Sequence, residues 1–178
     1  MHTERFVSRP LGPDDFAALR ALHGDPRVMA TLSADGRAWP PQITRGFLAA
    51  AARHWAAHGH GLCGFFEREG GAFAGYAGLR RMMGVPLNGV ELMYAVVAER
   101  WGRGYATEMA RAVLAAGFAA LGLSEVVAFA LPANAASRRV LEKLAFVPAG
   151  EIVHADLPHL LYRLDARTFA RRLAEPSA

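Results

Sequence analysis

The chain has few of the features that mark disulfide-bonded, metal-binding or membrane-spanning proteins. It contains one cysteine, Cys63, which excludes an internal disulfide and any multi-cysteine metal site. No apolar run approaches the roughly 20 residues that a helix needs to span a bilayer. The first residues, MHTERF, lack the apolar core of a signal peptide. We therefore expect a cytoplasmic protein with no membrane partner.

Charge of one sign is also not concentrated anywhere along the chain. The formal net charge is +4, but the arginines are scattered, and neither zinc-finger spacing nor an aromatic-basic strand pattern occurs. No nucleic-acid partner is expected, and an anionic cofactor would use the same positive charge. With 178 residues, 53% of them hydrophobic and 20% charged, the chain is expected to form a single globular domain over residues 1–178.

Hydrophobic periodicity and turn residues predict an alternating series of strands and helices. Asp14 or Asp15 is predicted to cap a first helix, which Asp25-Pro26 interrupts. Residues 33–41 and 82–89 are predicted to be connections, and the tail beyond Arg171 is predicted to be loose. The order βααβββαβαββ predicts an α/β domain with a mainly antiparallel sheet and one parallel crossover. The predicted strands are 6–10, 62–68, 72–80, 90–97, 125–131, 151–154 and 160–164, and the later helices are 43–58, 106–121 and 135–144.

The stretch from Val90 to Arg111 organises this pattern, because an apolar strand passes through a glycine turn into a helix. Such a helix start leaves backbone N–H groups without partners and carries partial positive charge. Gly102 and Gly104 allow close approach of a ligand, and Arg100 and Arg103 add positive charge. The turn is thus a candidate pocket for an anion such as a pyrophosphate. The alternative is a tight connection in which glycine only permits the turn.

A second strand-to-helix junction follows about thirty residues later, at Asn134 to Phe146. Asn134 is a suitable N-cap and Ser137 lies three positions further on, so a purely structural role is open at this point. Two such junctions can flank one ligand in a crevice at the strand ends.

Both segments resemble motifs of the GNAT acetyltransferases. The string WGRGYATEM resembles their acyl-CoA-binding loop, Q/R-x-x-G-x-G/A, and is most similar to the branch of ribosomal-protein N-terminal acetyltransferases. The string from Asn134 resembles N-x-x-S-x-x-x-x-E-K-x-G-F, with Ala145 in place of the usual glycine. Trp101 stands where the loop pattern has Gln or Arg. The element order matches this family along nearly the whole chain.

The resemblance implies a GNAT fold, in which two central parallel strands splay apart around the pantetheine arm of acetyl-CoA. It implies transfer of an acetyl group to a primary amine by direct attack on the thioester, without a metal. Acceptors in the family include protein N-termini, polyamines, amino acids and antibiotics. A monomer and a homodimer are both compatible with it. Implied cofactor-binding residues are Tyr94, Val96 and Val97 on the strand, Gly102, Arg103, Gly104, Tyr105, Ala106 and Thr107 in the loop, and Asn134, Ser137 and Arg138 beyond it.

Glu91 begins the central strand at a position where several family members carry an acidic residue, so it is a candidate base. The alternative is a carboxylate paired with Arg80 or Arg81. Leu141 stands where many members place a general-acid tyrosine. Tyr94, Tyr105 and Tyr162 are the candidate replacements, and a non-catalytic CoA-binding sensor is the alternative function.

The acceptor pocket is the part least defined by the sequence. Candidate residues are Trp39, His58, His60 and Tyr162, with His154, Asp156 and His159 of similar standing. His54 and His58 are four apart on a helix, but no acidic residue lies close by in sequence to complete a metal site. Cys63 lies in an apolar strand without a basic neighbour, so a buried, inert thiol is expected.

Overall fold

A seven-stranded sheet forms the centre of the molecule. The computed structural model describes residues 1–82 and 89–174. The strand order is β1-β2-β3-β4-β5-β7-β6, and all neighbours are antiparallel except β4 and β5. The strands are β1 (Phe6–Pro10), β2 (Leu62–Glu67), β3 (Phe73–Met82), β4 (Gly89–Val96), β5 (Glu125–Ala130), β6 (Val147–His154) and β7 (Leu157–Asp165).

Helices cover both faces of this sheet. They are α1 (Phe16–Gly24), α2 (Pro26–Leu32), α3 (Pro41–His58), α4 (Tyr105–Leu121), α5 (Ala135–Lys143) and α6 (Ala166–Ala174). None of the described helices has the length and apolar character needed to cross a membrane. The predicted α/β class, with a mainly antiparallel sheet and one parallel pair, is confirmed.

Alternation along β4 assigns its side chains to two separate cores. Leu92 and Val96 pack with α4, α5 and α6, whereas Ala95 packs with α1, α2 and α3. Tyr94 is partly buried against the first core and Met93 against the second. Glu91 therefore shares a face with Met93 and Ala95, on the side of the sheet that α1 to α3 cover.

The parallel pair β4–β5 is the irregular part of the sheet. Only Glu91 and Val127 are register partners, although both strands continue. Beyond Glu91 the two strands separate, and residues of both line a cavity between them. This is the predicted splay of the central parallel strands.

Two helices were not predicted, and each has a local cause. Asp25-Pro26 starts α2 rather than merely ending α1, because Asp25 Oδ1 accepts a hydrogen bond from the Arg27 N–H at 2.8 Å and proline is favoured at the first helical position. The tail predicted to be loose beyond Arg171 is helical to Ala174. Phe169 holds α6 against the core, with its ring 5.2 Å from that of Phe118.

The predicted β6 and β7 were too short, since the strands run through 147–154 and 157–165. Ala155 and Asp156 join them with positive φ at both positions, as a tight hairpin requires. Most of the predicted 82–89 connection lies outside the described residues.

Ala145 has φ +66°, a left-handed conformation that glycine adopts without cost. An alanine there is strained by about 1 kcal/mol. Replacing the usual glycine by alanine therefore lowers stability, but the position lies in the turn after α5 and does not bind a ligand.

His23 is fully buried under the aromatic rings of Trp39, Phe47 and Tyr76. Its Nδ1 lies 3.2 Å from Thr44 Oγ1, and its Nε2 has no hydrogen-bond partner among the described residues. Burial, followed by the charge of Arg20, lowers the pKa of His23 to about 4. The ring is consequently neutral in the folded protein at pH 7.

We expect His23 to make the fold sensitive to acid. The unfolded chain binds a proton at His23 near pH 6.5, whereas the folded one does so only near pH 4. Its contribution to stability is thus present above pH 6.5 and is lost progressively as the pH falls to 4, by roughly 3 kcal/mol. Urea unfolding of His23→Gln should show a flatter loss over this range, while the exposed His58→Gln should match the wild type. Equal pH slopes for all three proteins would contradict the assignment.

Candidate active site

The cavity between the separated strands has a volume of about 610 Å³. It is bounded by residues 91–96 of β4, by residues 128–131 at the end of β5, by the start of α4 and by one face of α5. This volume lies within the range of small-molecule and cofactor sites. Of the sequence-predicted residues, Glu91, Tyr94, Val96, Gly102, Gly104, Tyr105, Ala106, Thr107, Asn134 and Ser137 line it.

The N-terminus of α4 presents free hydrogen-bond donors to this cavity. Gly104 is the N-cap, with φ +75°, and has no side chain that could cap the helix. The first backbone bond of the helix is from Glu108 N–H to Gly104 O at 3.1 Å. The N–H groups of Tyr105, Ala106 and Thr107 therefore lack intrahelical partners. They form a site for negative charge, which the helix dipole strengthens.

Two carboxylates hold this loop from behind. Glu67 accepts hydrogen bonds from Arg100 Nε at 2.8 Å, from Arg100 Nη2 at 3.0 Å and from Tyr105 Oη at 2.6 Å. Glu108 accepts from Arg5 Nε at 2.6 Å, from the Arg5 backbone N–H and from Thr3. Arg5 Nη1 also donates to Arg103 O at 2.7 Å. The loop is thus fixed before any ligand binds.

These contacts change the expected role of the loop arginines. Arg100 lines the cavity, but its charge is neutralised by Glu67. The hydrogen bonds from Arg100 and then from Tyr105 hold the pKa of Glu67 below its usual value. Arg103 is exposed and does not line the cavity, so its side chain is not placed as a phosphate ligand. The loop contributes mainly backbone N–H groups at this point, and less side-chain charge than expected.

Tyr94 and Ser137 form a bridge across the cavity from β4 to α5. Tyr94 Oη lies 2.8 Å from Ser137 Oγ, and Asn134 Oδ1 accepts a hydrogen bond from the Ser137 N–H at 3.0 Å. Burial raises the pKa of Tyr94 to about 12, so the phenol is protonated at neutral pH. Asn134 has its structural role as an N-cap and also lines the cavity.

Arg138 is outside the cavity lining, because Nη1 donates to Pro132 O on the other side of the turn. Its neighbour Arg139, one position and about 100° further around α5, lines the cavity together with Lys143. Arg139, and not Arg138, is thus the arginine of this pair that faces the cavity.

The backbone of β4 is only partly available to a ligand. The Val97 N–H donates to Ala74 O at 3.0 Å within the sheet, so this N–H is not free to bind the cofactor, although the resemblance implied Val97 as a cofactor-binding residue. Val96 O accepts from Trp101 Nε1 at 2.8 Å. Trp101 therefore ties the loop to the end of β4.

Glu91 is paired with Arg80, its direct partner in the β3–β4 register, with Nε 2.5 Å from Oε2. This confirms the ion pair considered for Glu91. The carboxylate is 4% exposed, and burial raises its pKa while Arg80 opposes the rise. A buried carboxylate whose pKa is raised is a candidate to take up a proton during catalysis. Both side chains line the cavity.

A second cavity of about 310 Å³ adjoins the first. The two share seven lining residues, among them Arg80, Met93, His154 and His159. Its apolar wall is formed by Leu32, Trp39, Phe47, Met93, Leu131 and Leu157. Trp39 is thus placed where an acceptor residue was expected, and the two weaker histidine candidates of the last hairpin lie beside it.

The other predicted acceptor residues lie elsewhere. His58 and His60 line neither cavity and form a cluster with His54, whose Nε2 accepts from the Arg81 N–H. Tyr162 is 3% exposed and belongs to the core. Tyr105 gives its hydroxyl to Glu67. Among the candidate acids, only Tyr94 lines the cavity with a hydroxyl that no carboxylate holds.

Cys63 is buried, and burial raises the pKa of its thiol to about 11. This confirms the expected inert thiol. In the described part of the chain no group of three His, Cys, Asp or Glu side chains is arranged to hold a metal.

Fold and site together form a cleft between separated strands, with backbone donors suited to an anionic ligand. A sequence profile described as an acetyltransferase (GNAT) domain matches residues 5–147. The chain therefore belongs to the GNAT acetyltransferase family.

Solved structures and a curated relative agree with this assignment. An acetyltransferase from Agrobacterium tumefaciens is 29% identical, with a TM-score of 0.80, and the match covers 92% of each chain. A putative GNAT-family acetyltransferase from Bordetella pertussis is 28% identical, with a TM-score of 0.78, over 92% of this chain and 97% of the other. The uncharacterized N-acetyltransferase YoaA of Bacillus subtilis is 40% identical over 60 residues, which is 34% of each chain.

Removing the Glu67 charge should loosen the loop that begins α4. In Glu67→Gln, the hydrogen-bonded pair with Arg100 and the bond from Tyr105 are weakened, and we expect a loss of about 1 kcal/mol because both partners are partly exposed to water. Glu69→Gln, in the exposed hairpin between β2 and β3, is the matched control. Urea unfolding measures both, and equal midpoints would show that Glu67 does not hold the loop.

Proposed function

We propose that the protein transfers the acetyl group of acetyl-CoA to a primary amine. The observation that carries this proposal is the set of three unpaired N–H groups at the start of α4, which faces a cavity between separated strands. Such donors suit the pyrophosphate of CoA, and Arg139 and Lys143 on α5 supply positive charge along the same cavity. Gly102 has φ +74° and open space where a side chain would lie, so the cofactor can approach the backbone closely.

The pantetheine arm would lie between β4 and β5, beside the Tyr94–Ser137 bridge and Asn134. The backbone of Val96 faces this gap, since its carbonyl meets Trp101 rather than β3. The thioester would then lie near residues 92–95, close to Glu91 and to the second cavity.

The acceptor amine attacks the thioester carbon directly. Glu91 takes a proton from the ammonium or from the attacking amine, a C–N bond forms, the C–S bond breaks, and CoA leaves as a thiolate that takes up a proton. Glu91 is supported as the base by its burial and raised pKa, and it is the only carboxylate lining either cavity among the described residues.

A non-catalytic CoA sensor is the second candidate, because Leu141 leaves no tyrosine at the position where many family members have a general acid. The buried carboxylate beside the cavity favours the enzyme, since a sensor has no need for one.

The phosphate site is tested with Gly104→Glu. A carboxylate at this position repels the cofactor phosphates, so CoA affinity should fall by at least tenfold, together with thiol release from acetyl-CoA over a panel of amines. Gly104→Ala is the matched control, because it carries the same backbone strain at φ +75° without the charge. Calorimetry with CoA measures affinity. Equal losses in both variants would mean that strain, and not charge at a phosphate site, is responsible.

The base is tested with Glu91→Gln. In the wild type, kcat should rise with pH as the Glu91 carboxyl ionises, above the usual range of a glutamate because burial raises its pKa. The variant should lose this limb of the profile and at least 100-fold in kcat. A variant with an unchanged pH profile would remove Glu91 from the mechanism.

A further inference from the structure

Arg80 is the only Lys, Arg, Asp or Glu side chain that lines the second cavity among the described residues. The titratable residues that line this cavity besides Arg80 are His154 and His159. His154 is the last residue of β6 and His159 is the third residue of β7, with ring centroids 5.7 Å apart and both rings against Phe129. An acceptor with several positive charges would find only Glu91 to pair with.

Arg80 has guanidinium nitrogens that are available to a ligand. Its Nε holds Glu91, but its two Nη atoms make no hydrogen bond within the described part of the chain. The side chain is 34% exposed and lines both cavities. A guanidinium whose two Nη groups are both free matches a carboxylate in geometry and charge.

The Arg80–Glu91 pair places opposite charges side by side, with N and O atoms 2.5 Å apart. An acceptor that binds both must carry its amine and its anionic group close together. An α-amino acid does so, because one carbon separates the ammonium from the carboxylate. A peptide N-terminus has the ammonium but a neutral amide in place of the carboxylate.

The rest of the cavity is apolar and small. Trp39 and Phe47 form one wall, with ring centroids 6.0 Å apart, and Met93 and Leu157 also line it. Trp39 is held in place by its backbone, since its N–H donates to His23 O and its carbonyl accepts from Arg20. A volume of about 310 Å³ is at the lower end for ligand sites and suits a single apolar side chain.

We propose that the second cavity binds an apolar α-amino acid, with its carboxylate on the Nη atoms of Arg80, its amine beside Glu91 and its side chain against Trp39 and Phe47. This inference rests on the proposed function, because it names the acceptor of that reaction. His154 lines the same cavity and is a further hydrogen-bond donor to the carboxylate, whereas His159 Nδ1 is 3.0 Å from Leu157 O.

Acceptors that differ in one group test this directly. Thiol release from acetyl-CoA is measured with L-phenylalanine, L-phenylalaninamide, phenethylamine and spermine. We expect kcat/KM for L-phenylalanine to exceed that for the amide and for phenethylamine by about 10- to 100-fold, as one charge-assisted contact provides. Spermine should be the poorest acceptor. Equal or faster turnover of the amide, phenethylamine or spermine would overturn the inference and leave the proposed function intact.

Variants then assign the preference to Arg80. In Arg80→Gln the ratio of kcat/KM between L-phenylalanine and its amide should fall close to one, whatever happens to the overall rate. Arg80→Lys keeps a positive charge beside Glu91 and should retain part of this kcat/KM ratio. Arg81→Gln, at the next position of β3 and outside both cavities, is the control and should keep the wild-type ratio. A wild-type ratio in Arg80→Gln would contradict the assignment.

Failure of the proposed function has a different signature. If no amine releases thiol although CoA binds, the transferase proposal fails. Calorimetry on the CoA-bound wild type then decides the inference. Tighter binding of L-phenylalanine than of its amide supports the carboxylate site, and equal or absent binding of the two contradicts it.

Discussion

The separation of β4 from β5 beyond Glu91 is the constraint on which the whole site depends. Neighbouring strands in a sheet normally satisfy each other's backbone groups, so a gap in the middle of a sheet leaves donors and acceptors without partners. Among the described strands this cost is greatest between β4 and β5, which only a single register pair joins. Packing on both faces, by α4 and α5 on one side and α1 to α3 on the other, keeps the gap open.

The two ends of this gap have different electrostatic characters. At the α4 end, the donors are backbone N–H groups whose orientation is set by glycine torsions and by Glu67 and Glu108 behind the loop. At the Glu91 end, the charges of a buried carboxylate and a guanidinium compensate each other. Because Glu91 uses only the Nε of Arg80, the Nη atoms can bind a second anion. Breaking such a buried pair usually costs far more than either group contributes alone, so Arg80 and Glu91 are tied to each other in stability as well as in chemistry.

The local parts of the site could be predicted from the sequence, and the parts assembled from distant strands could not. Gly102, Gly104, Asn134 and Ser137 lie in short segments whose spacing indicates a turn and a helix start, and all four line the cavity. Arg139 was not predicted, because no local signal states which side of α5 meets the cavity. The combination of Arg80 with His154 and His159 joins three strands, and only the sheet register brings it together. Likewise, Asp25-Pro26 can end one helix or begin the next, and the capping bond to Arg27 decides between them.

Strand β1 lies at the edge of the sheet, where strands open most readily. Arg5, immediately before this strand, holds Glu108 through both its backbone and its side chain, and it also holds the carbonyl of Arg103. We therefore expect opening of the sheet edge and release of the loop that begins α4 to be coupled. Amide hydrogen exchange in β1 and in the first turn of α4 would report one shared opening event, and a ligand that orders the loop would slow exchange at an edge strand that it does not contact.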